Sequence, residues 1–232
     1  MITELRIAPL RCMCAAVLVA MLCLAACTDE PVATLPQIYT GFPEALDPQC
    51  RDGTARIYDE CGDQLALFRA ALARANESNK VLLVEYGAEW CIWCHVFNAY
   101  INGDKGRFRY TYATAKEPEA WTTRTFEEHG DVEGAEALRD FVARHFVVVR
   151  IDAQYAPNGA EVLVQTGAEE HFPGGLPFVF TVDSRGRYAA TFEGKGLEKN
   201  RRRSFDQYRG FHRDAMLRVL TSMRNAALAS RH

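Results

Sequence analysis

Positive charge is not in surplus in this chain. Lys and Arg total 27 against 30 Asp and Glu, a formal net charge of −3, which excludes a protein that binds nucleic acid through its overall charge. Cysteine is also scarce. Eight in 232 residues are too few for a disulfide scaffold, so their placement matters more than their number. No uncharged run is long enough to cross a bilayer as a helix. No segment repeats, and no methionine-rich loop is present. What remains is an ordinary globular balance, 48% hydrophobic and 25% charged, which rules out a wholly disordered chain and suits a single domain.

The N-terminal residues point to export. Arg6 and Arg11 precede Met13–Ala26, fourteen residues without a charge, which fits a signal-peptide core. The run ends Leu24-Ala25-Ala26-Cys27, followed by the polar Thr28-Asp29-Glu30. This resembles the lipobox of bacterial lipoproteins. The resemblance implies a signal over 1–26, removed together with Cys12, Cys14 and Cys23, and a lipid on Cys27 that holds the protein to a membrane. The mature chain would then work on the periplasmic face of a bacterial membrane, where disulfides persist. Pro31, Pro36, Pro43 and Pro48 mark a Pro-rich tether, so that 27–58 is expected to connect the anchor to a domain over 59–232.

Within that domain the periodicity changes element by element. Leu65, Phe68, Leu72 and Ala75 recur at three and four residues and predict a helix ending near Asn79. Val81–Tyr86 is a short apolar run, a buried strand, and a helix is expected over 91–101. Residues 102–133 mix aromatics (Phe108, Tyr110, Tyr112, Trp121, Phe126) with charge and show no steady period, so they read as an insertion with at most short helices. Further elements are a helix over 135–145, a strand over 146–151 and a helix over 160–170. A hairpin of strands over 177–182 and 188–192 follows, turning at Asp183–Gly186. A last helix is expected from a Ser204 cap, with Phe205, Tyr208, His212, Met216, Val219 and Met223 on one side. Strands separated by helices imply an α/β fold, a mixed central sheet with helices on both faces.

Cys91-Ile92-Trp93-Cys94 falls where the first strand ends and a helix begins. Free backbone N–H groups and the helix dipole favour an anion at the first cysteine. The spacing brings the second sulfur close enough to bridge. One thiolate can attack a partner's disulfide while the other resolves the mixed disulfide.

The segment Val84-Glu85-Tyr86-Gly87-Ala88-Glu89-Trp90-Cys91-Ile92-Trp93-Cys94, with Gly175-Leu176-Pro177-Phe178 downstream, resembles the active-site and cis-proline segments of the thioredoxin family. The resemblance covers about residues 60–230. It implies a thioredoxin-like fold in which 102–133 is an insertion after the active-site helix. It implies thiol–disulfide exchange with exported proteins and a membrane or periplasmic redox partner, without a cofactor or metal, by a monomer. In that pattern Cys91 is the attacking thiol, more exposed, and Cys94 the resolving thiol, more buried. Glu85 is the acid behind Cys94, unless it is an edge residue reaching water. Pro177 is cis and faces the disulfide, Trp90 shields the site, and Trp90, Trp93 and Leu176 border the substrate groove. The Ile-Trp dipeptide between the cysteines departs from the usual Gly-Pro, which leaves the direction of exchange open.

Two other classes share parts of this pattern. One is a thioredoxin-like binding or assembly factor without turnover. The other is a c-type haem protein, because His95 completes Cys91-Ile-Trp-Cys94-His95; His95 otherwise reads as a solvated helix residue. A single CxxC argues against zinc. Cys50 and Cys61, with ten residues between them, can then pair only with each other. They form either a structural disulfide worth roughly 2–3 kcal/mol or a second redox pair. The insertion's aromatics either pack it onto the core or border the groove over Cys91 and Pro177. The anchor is tested by Cys27→Ser. The variant is expected to leave the membrane fraction or to keep its signal, and the mature N-terminus of the parent should carry acyl mass.

Overall fold

The computed structural model describes residues 39–114, 116–127, 133–203 and 206–230. The expected signal, Cys27, the first part of the tether, Ser204 and Phe205 lie outside them. Among the described residues no helix is long and apolar enough to cross a membrane.

A five-stranded mixed sheet organises residues 40–191 in the order β1-β5-β2-β6-β7. The strands are β1 (Thr40–Phe42), β2 (Val81–Gly87), β5 (Phe146–Asp152), β6 (Phe178–Val182) and β7 (Tyr188–Thr191). Both β1 and β2 run parallel to β5, whereas β6 runs antiparallel to β2 and β7 antiparallel to β6. Every residue of β2 and β5 is buried, which explains their near-continuous apolar sequences.

Strand alternation sorts the side chains between two layers. Val81, Leu83, Phe146, Val148 and Val179 meet α2 (Ile92–Ile101), α3 (Ala135–His145) and α5 (Arg213–Ala229) on one face. Leu82, Val84, Val147, Val149, Phe178 and Phe180 meet α1 (Gln64–Glu77) and α4 (Gly159–Thr166) on the other. The chain is therefore α/β, with helices on both faces of a mixed sheet. Asp63 starts α1 by accepting the Ala66 N–H at 3.0 Å, and Asn79, at φ 55°, turns the chain out of it into β2.

Three segments differ from expectation. Within the stretch read as tether, Thr40–Phe42 pairs with Val147–Val149 at the sheet edge. Phe42–Pro43 is cis, and a 3-10 turn follows at Cys50–Gly53. The four prolines mask a strand of only three residues.

The insertion is a β-hairpin, β3 (Arg107–Thr114) with β4 (Glu117–Glu127), and not a set of short helices. Its signal was a period of two: Phe108, Tyr110 and Tyr112 alternate and are all buried, with Arg107, Arg109 and Thr111 between them obscuring the pattern. Phe108 lies 5.8 Å from the Tyr100 ring of α2 and 6.0 Å from Tyr110.

The last helix is shorter than expected. It starts at Arg213, with His212 as cap residue, because Glu198–Arg203 (β8) and Asp206–Phe211 (β9) form a second hairpin. A run such as Glu198-Lys-Asn-Arg-Arg-Arg203 carries no apolar alternation from which a strand could be read.

Phe211 ties that hairpin to the body. Its ring lies 5.4 Å from Trp93, 5.5 Å from Tyr100 and 5.8 Å from Phe192. Phe211→Ala is expected to cost about 3–5 kcal/mol, read as a lower urea midpoint at unchanged slope.

Candidate active site

The buried strand β2 runs into a tight turn at its C-terminal end. Cys91 closes that turn as the cap residue of α2. Its Sγ accepts the Cys94 N–H at 3.3 Å, and its carbonyl oxygen accepts the same N–H at 3.0 Å. A thiol in this position faces the unsatisfied N–H groups and positive end of the helix, so its thiolate finds a donor already aimed at it. Both cysteines are free.

Cys91 is 4% exposed and Cys94 0%. The expected order holds, but Cys91 is far less open than expected. Trp90, Trp93, Leu176 and Ile57 pack around the two sulfurs and Tyr58, and these large side chains close the opening. The Leu176–Pro177 peptide is cis. Beyond it, Trp93, Leu176, Pro177, Phe192, Glu198 and Phe211 line a groove of about 510 Å³.

The groove's far wall thus comes from β7 and the β8–β9 hairpin. The insertion's buried rings pack onto the core instead. Its half-buried Trp121 reaches a separate, smaller cavity beside Trp90. The Trp90 Nε1–H donates to Gln154 Oε1.

Glu85 is fully buried. It cannot reach water from an edge, because β2 is flanked by β5 and β6. It lies on the α2 side of the sheet opposite Arg150 of β5. Burial pushes its carboxyl up to about 7, and the Arg150 guanidinium opposes that rise. Arg150 Nε is 3.9 Å from Glu85 Oε2, too far for a hydrogen bond. The guanidinium is held instead by Asn98 Oδ1 at 2.8 Å and by the Tyr39 hydroxyl. Neither Glu85 oxygen has a hydrogen bond of normal geometry. Burial likewise pushes the Cys94 thiol well above its ordinary value, and the neighbouring Cys91 and Glu85 add to the rise.

Residues outside the expected set complete the site. Glu89 is fully buried. Its Oε2 accepts the N–H groups of Ile57 at 2.9 Å and Tyr58 at 3.1 Å, so one carboxylate clamps the incoming chain against the β2–α2 turn. His95 is also buried and not solvated. Its Nε2–H donates to the Glu89 carbonyl oxygen at 2.7 Å, which commits the nitrogen that the haem alternative would need. Cys50 and Cys61 are bonded to each other and close a loop around the clamped pair.

That loop delivers Tyr58, 0% exposed, onto the dithiol. A Cβ added at Gly87 would collide with the Tyr58 hydroxyl and lie 2.8 Å from Cys94 Sγ. Hydroxyl and sulfur therefore meet over a backbone that has no room for a side chain. Tyr58 is far from the CxxC in sequence and belongs to no periodic element. The one local signal was an Ile-Tyr pair between two cysteines.

Compared with known proteins, the chain matches no family model, no curated protein and no solved structure.

The burial of Glu85 has a consequence for stability. Its folded value of about 7 lies above an ordinary 4.5. Between those values the folded protein keeps a proton that the unfolded chain has released. The Glu85 contribution therefore makes stability fall as pH rises through that window. Glu85→Gln is expected to flatten this slope and, near pH 8, to be more stable than the parent by about 3 kcal/mol. Denaturant midpoints measured across pH check both.

Proposed function

We propose that the protein is a thioredoxin-like thiol–disulfide oxidoreductase of the bacterial cell envelope. The observation that carries the reading is the free dithiol at the start of α2, with Cys91 Sγ facing the Cys94 N–H at 3.3 Å. The sheet order β1-β5-β2-β6-β7, the cis Leu176–Pro177 segment, whose Leu176 packs against the sulfurs, and the buried Glu85 support it.

In this reading the Cys91 thiolate attacks one sulfur of a client disulfide. A Cys91–client disulfide forms, and the other client sulfur leaves as a thiolate. Cys94 then loses its proton and attacks Cys91 Sγ, forming the Cys91–Cys94 disulfide and releasing the second client thiolate. The client gains two electrons and the dithiol loses two. A membrane or periplasmic thiol partner returns them when the protein acts as a reductant, and the same steps reversed oxidise a client. Burial gives the cysteines different tasks, since Cys91 alone has any exposed surface while Cys94 stays behind it. Lipidation at Cys27 would hold this chemistry at the membrane, where exported proteins fold.

Cys91→Ser is expected to abolish disulfide reduction, a loss of at least about 10³-fold. Cys94→Ser should instead accumulate mixed disulfides, visible as adducts in intact-protein mass spectra. Wild-type turnover in both variants would refute the exchange reading.

A further inference from the structure

Cys94 has to shed a proton in a place where water does not reach it. Its sulfur is fully buried, and so are the side chains of Tyr58 and Glu85. The Tyr58 hydroxyl makes no hydrogen bond of normal geometry, and neither do the Glu85 oxygens. A buried hydroxyl left unpaired is destabilising. Here the orphaned groups sit beside a group that must change charge.

Their proximity shows in their ionisation. Burial raises the Tyr58 hydroxyl well above its ordinary value, and Cys94 and Glu85 both contribute to the rise. Tyr58 in turn pulls the Glu85 carboxyl down. The hydroxyl therefore feels both the sulfur and the carboxyl. Gly87 keeps the space between hydroxyl and sulfur clear.

The placement is built rather than incidental. Glu89 fixes the Tyr58 backbone through two N–H groups, and the Cys50–Cys61 disulfide closes the loop that carries it. The other titratable or charged groups facing this space are Cys91 on α2, Glu89 in the turn, Arg150 on β5 and Tyr39 before β1. Tyr58 Oη stands where a Gly87 side chain would, beside Cys94 Sγ and on the face of β2 that also carries Glu85 two residues earlier.

We infer that the Tyr58 hydroxyl is the proton relay between Cys94 and Glu85. As Cys94 attacks the mixed disulfide, its thiol proton passes to Tyr58 Oη while the Tyr58 proton passes to a Glu85 carboxylate oxygen. Sulfur gains the electron pair of its S–H bond, Glu85 becomes the neutral acid, and Tyr58 ends as it began. In the oxidising direction the same path returns the proton. This inference rests on the exchange reading and assigns a residue that a CxxC motif does not contain.

The test uses the full chain, oxidised glutathione as probe, and single-turnover kinetics that separate two steps. Formation of the Cys91–glutathione disulfide is followed in the Cys94→Ser background. Its resolution is followed with Cys94 present. Tyr58→Phe keeps the ring and removes a hydroxyl with no normal hydrogen bond, so the variant is expected to fold. Formation should be unchanged. Resolution should slow by about 10²-fold at neutral pH and recover steeply as pH rises and solvent base takes over. Because the relay is serial, Tyr58→Phe combined with Glu85→Gln should resolve no more slowly than Glu85→Gln alone. Resolution by Tyr58→Phe with the parent's rate and pH profile overturns the relay while leaving the exchange reading intact, and so do multiplicative losses in the double variant. A Cys94→Ser protein that never accumulates the glutathione adduct overturns both.

Discussion

β2 is covered on both faces along all seven of its residues, and the arrangement of the site follows from that constraint. A strand with no solvated face has one outlet for chemistry, its C-terminal end. There the chain turns through Ala88–Trp90, and Cys91 begins α2. A polar side chain inside the strand has no outlet. Glu85, three residues before the turn, stays where water cannot screen it, and burial shifts its carboxyl. Its partner across the parallel pairing, Arg150, is turned away by Asn98 and Tyr39. The guanidinium therefore moderates the Glu85 charge without hydrogen bonding to it.

The second layer of the site comes from outside the sheet. A buried carboxylate is expensive to desolvate, and Glu89 Oε2 offsets this with hydrogen bonds from two backbone N–H groups. Bonds to a charged group contribute about 1.5–3 kcal/mol each. Their structural effect exceeds that sum, because they dock a segment that has no regular secondary structure to hold it. The Cys50–Cys61 bridge shortens the free length of that segment. It leaves Tyr58 one position from which to choose among few orientations.

How much of this could be read from residues alone depended on range. The apolar runs of β2, β5 and β6, the helix periods of α1 and α3, and the strand-to-helix location of Cys91 and Cys94 are local patterns, and they were legible. The burial of Glu85 followed from its place inside one of those runs. The two added hairpins were not legible. In β3 the alternation of Phe108, Tyr110 and Tyr112 spans only three side chains among arginines. In β8 the strand is formed by pairing with β9, and its own sequence has no apolar face. His95 looked solvated because nothing near it in sequence shows that the β3–β4 hairpin brings Tyr110 to within 6.3 Å of its ring. Tyr58 and Glu89 belong together only through a contact across 31 residues, which no period or motif encodes.

Among the described residues, several unpaired buried polar atoms gather in one part of the interior. Tyr58, Glu85, Glu89, Arg150 and Asp152 each leave a buried polar atom without a normal partner, and all five lie near the C-terminal ends of β2 and β5. Packing alone gives no reason for such a concentration, since apolar replacements of similar size would avoid each cost. A site that must hold a charge in one state and not in another cannot be fully paired in both. Donors and acceptors that suit the ionised sulfur or carboxylate are left over when those groups are neutral. The sheet can carry this local instability because the three central strands β2, β5 and β6 are buried throughout, and most of their other residues are apolar and packed between helices on both faces. The orphaned groups therefore gather at the end of the sheet where the dithiol lies.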